Sequence, residues 1–119
     1  MTKNILYYTD NRLDEKIMKK CQEQLMKVEN SIPIISVSLK PINFGENYIA
    51  DGERGYLTVT KQIIMGLEEA TSDVVYFCEH DVLYHPSHFN FTPKKKDVYY
   101  YNMNSWMLRA QDGHCLYYD

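Results

Sequence analysis

An acidic triplet, Glu79-His80-Asp81, directly follows the apolar run Val74-Val75-Tyr76-Phe77-Cys78. Two carboxylates at positions i and i+2 can point into one crevice where the backbone turns. Carboxylate oxygens are ligands that Mg²⁺ and Mn²⁺ favour, and these ions often keep open positions for phosphate oxygens. The triplet therefore predicts a divalent-metal and diphosphate site with Asp81 and Glu79 as ligands, although solvated acids at a strand end show the same pattern.

Two further polar groups follow predicted strands. Thr9-Asp10-Asn11 comes directly after Ile5-Leu6-Tyr7-Tyr8, and Ser38 lies near the end of the β-branched run 34–39. The carboxyl ends of parallel strands share one edge, where open α/β sheets bind ligands, so we expect these groups to meet the triplet. An Asp after the first strand can bond a base or a ribose, and capping of the next helix explains Asp10 and Asn11 equally well.

The segment after the triplet contains His85-Pro86-Ser87-His88. With the nearby carboxylates, His85 and His88 allow a zinc site, but no cysteine pair or helical His-Glu-x-x-His pattern accompanies them. A loop lining an acceptor pocket fits this spacing better. Trp106 is suited to stacking on a sugar ring or to the core, and Tyr99 and Tyr101 favour core positions.

Alternating strand and helix patterns must position these groups. Apolar runs predict strands over 5–8, 34–39 and 73–78, and a fourth over Val98–Tyr101. Leu13, Ile17, Cys21, Leu25 and Val28 recur every three or four residues and predict an amphipathic helix that Asn11 can cap. A second helix over 54–70 is expected to bury a stripe of Leu57, Ile64 and Leu67.

Residues 40–53 contain Pro41, Gly45 and Gly52 and are predicted to form a loop. Trp106–Leu108 and Leu116–Tyr118 are predicted to form a hairpin around Asp112-Gly113. The order strand, helix, strand, loop, helix, strand is typical of a parallel α/β sheet with right-handed crossovers.

Length and composition narrow the class of protein. The 119 residues predict a single domain, and a hydrophobic fraction of 45% supports a packed core. A net charge of -3 gives no reason to expect nucleic-acid or membrane-surface binding. Three widely spaced cysteines, no signal peptide and no apolar run of membrane-spanning length predict a soluble cytoplasmic protein with reduced thiols.

The chain resembles a family-two glycosyltransferase of the GT-A fold. The resemblance lies in Thr9-Asp10-Asn11 after the first strand, in Arg54 and Gln62 on the helix before the third strand, and in Tyr76-Phe77-Cys78-Glu79-His80-Asp81. The run from Glu79 to Phe89 occupies the place of that fold's Asp-x-Asp segment. The resemblance covers nearly the whole chain but only the donor half of a typical domain. It implies a single Rossmann-like GT-A domain over 1–119, with mostly parallel strands, flanking helices and a short or missing acceptor part.

The resemblance assigns roles to single residues. Donor contacts are implied for Thr9, Asp10, Asn11, Ser38, Arg54, Gln62, Glu79 and His80, with Asp10 at the nucleoside and Gln62 where the family usually has Asn. Asp81 is implied as the metal and diphosphate ligand, and Glu79 as a ligand nearer the ribose or a metal-bound water. Acceptor contacts are implied for Tyr84, His85, His88 and Trp106.

The chain departs from the family pattern in three ways. Glu79 replaces the first Asp of the triplet, and His80 is unusual at its centre. The third departure concerns the catalytic base and the additional metal-binding histidine, which the family places well downstream of the triplet. In this chain the late candidates for them are Asp112 and His114.

The implied activity is transfer of a sugar from a UDP- or GDP-linked donor to a hydroxyl acceptor, with Mn²⁺ or Mg²⁺. Three interpretations of the chain remain open. It is a fragment, it completes its site by forming a homo-oligomer, or it binds the donor without turnover. A receiver-like or flavodoxin-like binding module would share the architecture, as would a non-catalytic structural accessory domain.

Overall fold

Four parallel strands form the main sheet of the computed structural model, which describes residues 1–117. The strands are β1 (Lys3–Tyr8), β2 (Ile34–Ser38), β3 (Glu46–Ile49) and β4 (Val74–Glu79), in the spatial order β3-β2-β1-β4. The helices are α1 (Glu15–Val28), α2 (Tyr56–Glu69) and the short α3 (Ser87–Asn90). β5 (Trp106–Leu108) and β6 (Cys115–Tyr117) form the predicted antiparallel hairpin, and Tyr118 lies outside the described residues. The α/β class is confirmed.

β1 lies inside the sheet, and its side chains alternate between two separate cores. Ile5 and Tyr7 pack in the core that includes Leu25 of α1. Leu6 packs in the other core, beside Ile63 of α2. The sheet is therefore covered by one long helix on each face, which explains why its central strands are continuous apolar runs.

α1 begins after Asp14, so the prediction of Asn11 as its cap is wrong. Oδ1 of Asp14 accepts hydrogen bonds from the backbone N–H of Lys16 at 2.9 Å and of Ile17 at 3.4 Å. Asn11 instead has a left-handed φ of 63° and cannot start a helix in that conformation. The extra residues between Asn11 and α1 lengthen the loop at the carboxyl end of β1.

α2 presents a different face to the sheet from the one predicted. Its buried residues are Thr58, Gln62 and Gly66, whereas the predicted stripe of Leu57, Ile64 and Leu67 is exposed. A Cβ on Gly66 would lie 2.2 Å from Cδ1 of the fully buried Leu6, so the helix approaches β1 more closely than a larger residue would allow. Close approach at glycine, rather than burial of large side chains, sets the rotation of α2.

β3 lies within the predicted loop, which is therefore only partly irregular. Nδ2 of Asn47 donates to Oγ of Ser36 and Oγ of Ser38, each at 3.0 Å, and its Oδ1 accepts from the N–H of Ile42. These bonds satisfy polar groups that β2 buries beneath the edge strand. The sequence does not predict this strand, because Glu46–Ile49 is short and has no apolar run. The proline and glycines around it favour a loop.

Gly45, between β2 and β3, is expected to tolerate no side chain. It has a φ of 62°, and a Cβ there would lie 2.6 Å from the carbonyl oxygen of Ile34. Gly45→Ala should lower the free energy of unfolding by about 2–4 kcal/mol, because a left-handed conformation and a steric clash both contribute. Urea denaturation measures the loss. Gly113→Ala is the matched control, since Gly113 has a φ of 75° and nothing within 4 Å of the added atom. Equal losses of unfolding free energy in the two variants would contradict a steric clash between a side chain at position 45 and the Ile34 carbonyl.

The predicted strand over Val98–Tyr101 is wrong. These residues have no regular structure and are exposed, including 68% of Tyr99 and 80% of Tyr101, so the predicted core positions are wrong as well. Tyr99 makes an edge contact with Phe77, and the hydroxyl of Tyr100 accepts from the N–H of Lys95. A tyrosine run forms a strand only where a neighbouring strand supplies the ladder, and no described strand pairs with it here.

No helix within residues 1–117 is long and apolar enough to cross a membrane.

Candidate functional site

The direction of winding reverses between β1 and β4. The chain leaves β1 through α1 to reach β2 on one side, and returns through α2 to place β4 on the other side of β1. α1 follows β1 on one face of the sheet and α2 precedes β4 on the other, and we call the carboxyl edge beside the ends of β1 and β4 the crevice. This is the position where open α/β sheets bind their ligands.

An ion pair between Asp10 and Arg54 borders the crevice. Nε of Arg54 lies 2.9 Å from Oδ2 of Asp10, and Oδ1 of Asp10 accepts from the N–H of Arg12 at 3.0 Å. Asp10 is thus engaged through both carboxylate oxygens. The Arg54 side chain is 64% exposed, so its remaining guanidinium donors face solvent. The pair presents a positioned cation to the crevice rather than a free acid.

The amino terminus of α2 opens onto the same crevice. Gln62 bonds the carbonyl of Thr9, and Gly66 one turn later packs on Leu6, so α2 runs antiparallel to β1 and begins at the carboxyl edge. Gly55 precedes the helix without a side-chain cap, and the first turn carries no acidic residue. Free N–H groups at a helix start attract anions, phosphate in particular.

Thr9, His80 and Asn11 hold the loops of the crevice together. Oγ1 of the buried Thr9 and Nδ1 of His80 share a hydrogen bond of 2.6 Å that joins the end of β1 to the end of β4. Oδ1 of Asn11 accepts from the N–H of Leu39 at 2.8 Å and of Lys40 at 3.0 Å, which ties β1 to the end of β2. These three predicted donor contacts therefore bond protein groups at the strand ends that border the crevice.

Glu79 and Asp81 both affect tyrosines near the end of β1. Oε1 of Glu79 accepts from the hydroxyl of Tyr8 at 3.4 Å, and burial together with Glu79 raises the pKa of Tyr8 to about 12. Burial raises the pKa of Tyr7 to about 12 and that of Cys21 above its usual value, and in both cases Asp81 adds to the rise. Tyr7 packs in the core beneath α1, Cys21 is a buried residue of α1 itself, and Tyr8 packs in the α2 core. Asp81 also adds to the rise in the pKa of Tyr8, so both acids influence that side chain, and Glu79 is the one that bonds it.

The fit of a divalent ion rests on Asp81. Within residues 1–117 no three His, Cys, Asp or Glu side chains lie close enough together to hold a metal. Asp81 is exposed and forms no hydrogen bond or ion pair with another described residue. Mg²⁺ is commonly held by one or two carboxylates together with substrate phosphates, and an exposed carboxylate at the carboxyl edge of the sheet suits that mode.

Comparisons with known proteins assign no family to this geometry. The chain matches no protein-family model, no curated protein and no solved structure. The parallel sheet with flanking helices is compatible with a Rossmann-like fold, and its GT-A variant stays a prediction.

Ser38 and Gln62, two predicted donor contacts, are buried beneath the crevice. Ser38 is fully buried and its hydroxyl accepts from Asn47. Nε2 of Gln62 donates to the carbonyl oxygens of Thr9 at 2.8 Å and Val37 at 3.2 Å. Both side chains satisfy polar groups at strand ends and present none to a ligand.

The residues proposed for an acceptor pocket pack mainly against the protein. The hydroxyl of Tyr84 accepts from the N–H of Glu79 at 2.8 Å, and burial raises the pKa of Tyr84 above its usual range. Nδ1 of the exposed His85 bonds Ser87 at the start of α3. His88 is half-buried between Tyr84 and Phe89. The structure does not bring His85 and His88 into a metal site with the triplet.

His88 also lines a cleft of about 1090 Å³ beside the first residues of β4. Its other walls include Lys95, Tyr100 and Asn102 from the irregular segment that follows α3. None of the residues that border the crevice line this cleft, so the two openings are distinct.

Stability should rise with pH through the titration of His88. Burial lowers the pKa of His88, an effect that the Phe77 carbonyl partly opposes, so the unfolded chain binds the proton more readily than the folded one. The free energy of unfolding therefore falls as pH drops below about 6.5. His88→Gln should flatten this dependence in urea denaturation series, whereas His85→Gln at an exposed site should not. If the slope of unfolding free energy against pH is the same in His88→Gln as in the native chain, His88 is not the group responsible.

Trp106, Asp112 and His114 lie together in the β5–β6 hairpin. The Trp106 ring packs against Tyr117 in a tilted arrangement with centroids 4.8 Å apart, and 60% of Trp106 is exposed. Oδ1 and Oδ2 of Asp112 accept from Arg109, and Oδ1 also accepts from the N–H of His114. These bonds lower the pKa of Asp112, so the carboxylate closes the turn and is poorly suited to accept a proton. No hydrogen bond among residues 1–117 joins the hairpin to the crevice.

Two contributors to the site escaped sequence reasoning. The sequence predicts Tyr8 only as a strand residue, and its hydroxyl bonds Glu79. The sequence also predicts that the second helix begins at Arg54, so it does not identify the uncapped start of α2 after Gly55. The sequence does carry a signal for it, because Gly55 directly precedes the helix and no acid follows in the first turn.

Proposed function

We propose that the crevice binds a nucleoside diphosphate sugar and that the chain is the donor-binding half of a metal-dependent glycosyltransferase. One observation carries the proposal. Where the winding reverses between β1 and β4, the Arg54 cation and the uncapped start of α2 lie at the same carboxyl edge of the sheet as the exposed carboxylate of Asp81.

The anionic diphosphate accounts for the cationic side of the crevice. Asp10 holds Arg54 through Nε, which leaves the terminal guanidinium nitrogens free to bond phosphate oxygens. The N–H groups at the start of α2 add donors that cannot be titrated away. Both features favour a phosphate-bearing ligand over a neutral sugar.

Asp81 accounts for the metal dependence. Mn²⁺ or Mg²⁺, when bound, neutralises charge on the departing diphosphate. Asp81 would hold the ion, and Glu79, hydrogen-bonded to Tyr8, would contact the ribose or a metal-bound water. Thr9, His80 and Asn11 tie together the ends of β1, β2 and β4, beside which Asp10 and Asp81 lie.

A non-catalytic nucleotide-binding module is the second candidate. It is favoured by the state of Asp112, the late candidate for the base, because that carboxylate is bonded within its own turn. The two candidates share donor binding and differ only in turnover.

The deciding experiment titrates UDP- and GDP-linked sugars into the protein by calorimetry, with Mn²⁺ and with a chelator. Binding that depends on Mn²⁺ is expected, and Arg54→Ala should weaken it about tenfold to a hundredfold through loss of a charged hydrogen-bond donor. Lys27→Ala, in the last turn of α1, removes an equivalent charge at the opposite edge of the sheet and should change nothing.

No binding of either nucleotide class would overturn the proposal, as would equal effects of the two variants. Release of free nucleoside diphosphate in the presence of the protein separates a transferase from a binding module.

A further inference from the structure

α2 carries an exposed row of three large apolar residues and one threonine that nothing in the described chain covers. Leu57, Thr60, Ile64 and Leu67 follow the alternating spacing of three and four residues that pairs helices. Leu57 is 70% exposed, Ile64 50% and Leu67 36%. We refer to these four residues as the α2 seam. Its exposure follows from the rotation of α2, which turns Thr58, Gln62 and Gly66 toward the sheet.

Two opposite charges flank the seam symmetrically. Lys61 directly follows Thr60, and Glu68 directly follows Leu67, so the two lie on one side of the seam and on either side of Ile64. Neither forms an ion pair with another described residue. They cannot pair with each other, because seven residues separate them by about 10 Å along the helix axis.

A second copy of the same helix satisfies both features. In an antiparallel pair with its two-fold axis near Ile64, Ile64 of one copy meets Ile64 of the partner. Lys61 of each copy then meets Glu68 of the partner subunit, so the contact forms twice. On the opposite side of the seam, Ile63 packs in the protein's own core, so the charged side is the one open to a partner.

We propose that the α2 seam is the interface of a two-fold symmetric homodimer with antiparallel α2 helices. The 14 residues of α2 span about 21 Å, so one helix pair buries less than the roughly 1,200 Å² of a standard stable interface. The dimer is therefore reversible, with a dissociation constant in the micromolar range or weaker. The inference does not depend on the proposed function.

Charge reversal tests the register of the pair. Sedimentation equilibrium over a range of concentrations should show a monomer–dimer equilibrium for the native chain. Lys61→Glu and Glu68→Lys alone should each weaken it about tenfold, because each replaces two attractive contacts with two repulsive ones. The double variant should restore it to within about threefold. Raising the salt concentration should shrink the differences among these chains.

Matched controls lie on α1, where Lys20 and Glu23 form an exposed ion pair. Lys20→Glu combined with Glu23→Lys should leave dimerisation unchanged. Ile64→Gln should weaken the dimer and Ile17→Gln on α1 should not, with circular dichroism confirming that each variant is folded.

A native chain that is monomeric at all concentrations overturns the inference. So does a double variant no better than the single ones, because rescue requires Lys61 and Glu68 to meet across the interface. Nucleotide titrations on the charge variants keep the two proposals distinguishable, since donor binding is expected to survive loss of the dimer.

Discussion

Asp81→Asn is expected to abolish the contribution of Mn²⁺ to nucleotide-sugar binding. The substitution keeps the size of the side chain and removes the negative charge that makes it a ligand for a hard cation. Asp81 is exposed and forms no hydrogen bond with a described residue, so its loss should leave the fold intact. Affinity for a UDP- or GDP-linked sugar should fall at least about tenfold in Mn²⁺ and match the value measured with a chelator.

Glu79→Gln is the comparison for this measurement. Because Glu79 is proposed to contact the ribose or a metal-bound water while bonded to Tyr8, Glu79→Gln should weaken binding less than Asp81→Asn and should keep the dependence on Mn²⁺. Calorimetric titrations of both variants with and without Mn²⁺ provide the comparison. If Glu79→Gln removes the metal dependence and Asp81→Asn does not, the assignment of the principal ligand is reversed. If neither does, the metal site lies elsewhere.

Gln62→Leu is expected to be among the most destabilising conservative changes in the protein. Gln62 is 1% exposed and its amide donates to the carbonyl oxygens of Thr9 and Val37. Leucine fills similar space with similar helix propensity but leaves the Thr9 carbonyl without its donor in a buried site. The free energy of unfolding should fall by about 2–4 kcal/mol, the cost of lost hydrogen bonds and an unsatisfied buried acceptor.

Urea denaturation with a constant m-value measures this loss. Gln22→Leu on α1 is the control, because its amide bonds the Tyr7 hydroxyl in a partly exposed place and should cost less than about 1 kcal/mol. Similar losses in both variants would show that the carbonyl contacts of Gln62 are not what stabilises the strand ends.

Local patterns were enough to predict most of the regular structure. The apolar runs before Thr9 and before Glu79 predicted the strands β1 and β4. The spacing of apolar residues from Ile17 to Val28 predicted the helix α1. Such elements are predictable because burial on both faces or on one stripe imposes a period on nearby residues. The hairpin around Asp112-Gly113 was predicted in the same way, from turn chemistry between two short apolar segments.

Predictions failed where a distant contact overrode a local pattern. The large residues of α2 predicted a buried stripe, but the close approach of Gly66 to Leu6 turned Leu57 and Ile64 outward. Asn11 has the chemistry of a helix cap and instead bonds the end of β2, nearly thirty residues along the chain. Neither outcome is visible in a window of neighbouring residues, because both depend on the distance between elements.

The sequence by itself determined the fold class and the edge of the sheet at which the candidate functional residues lie. Strand and helix periods imply a parallel α/β sheet, and polar residues after the strands imply a crevice at their carboxyl ends. Only the tertiary structure decided which side chains reach that crevice. Ser38 and Gln62 are held beneath it, Arg54 and the start of α2 border it, and of the two acids of the triplet Glu79 is bonded by Tyr8 whereas Asp81 has no hydrogen-bond partner among the described residues. The physical reason is that the direction of a side chain at a strand end depends on the partners its neighbours need, and those partners come from other strands and helices.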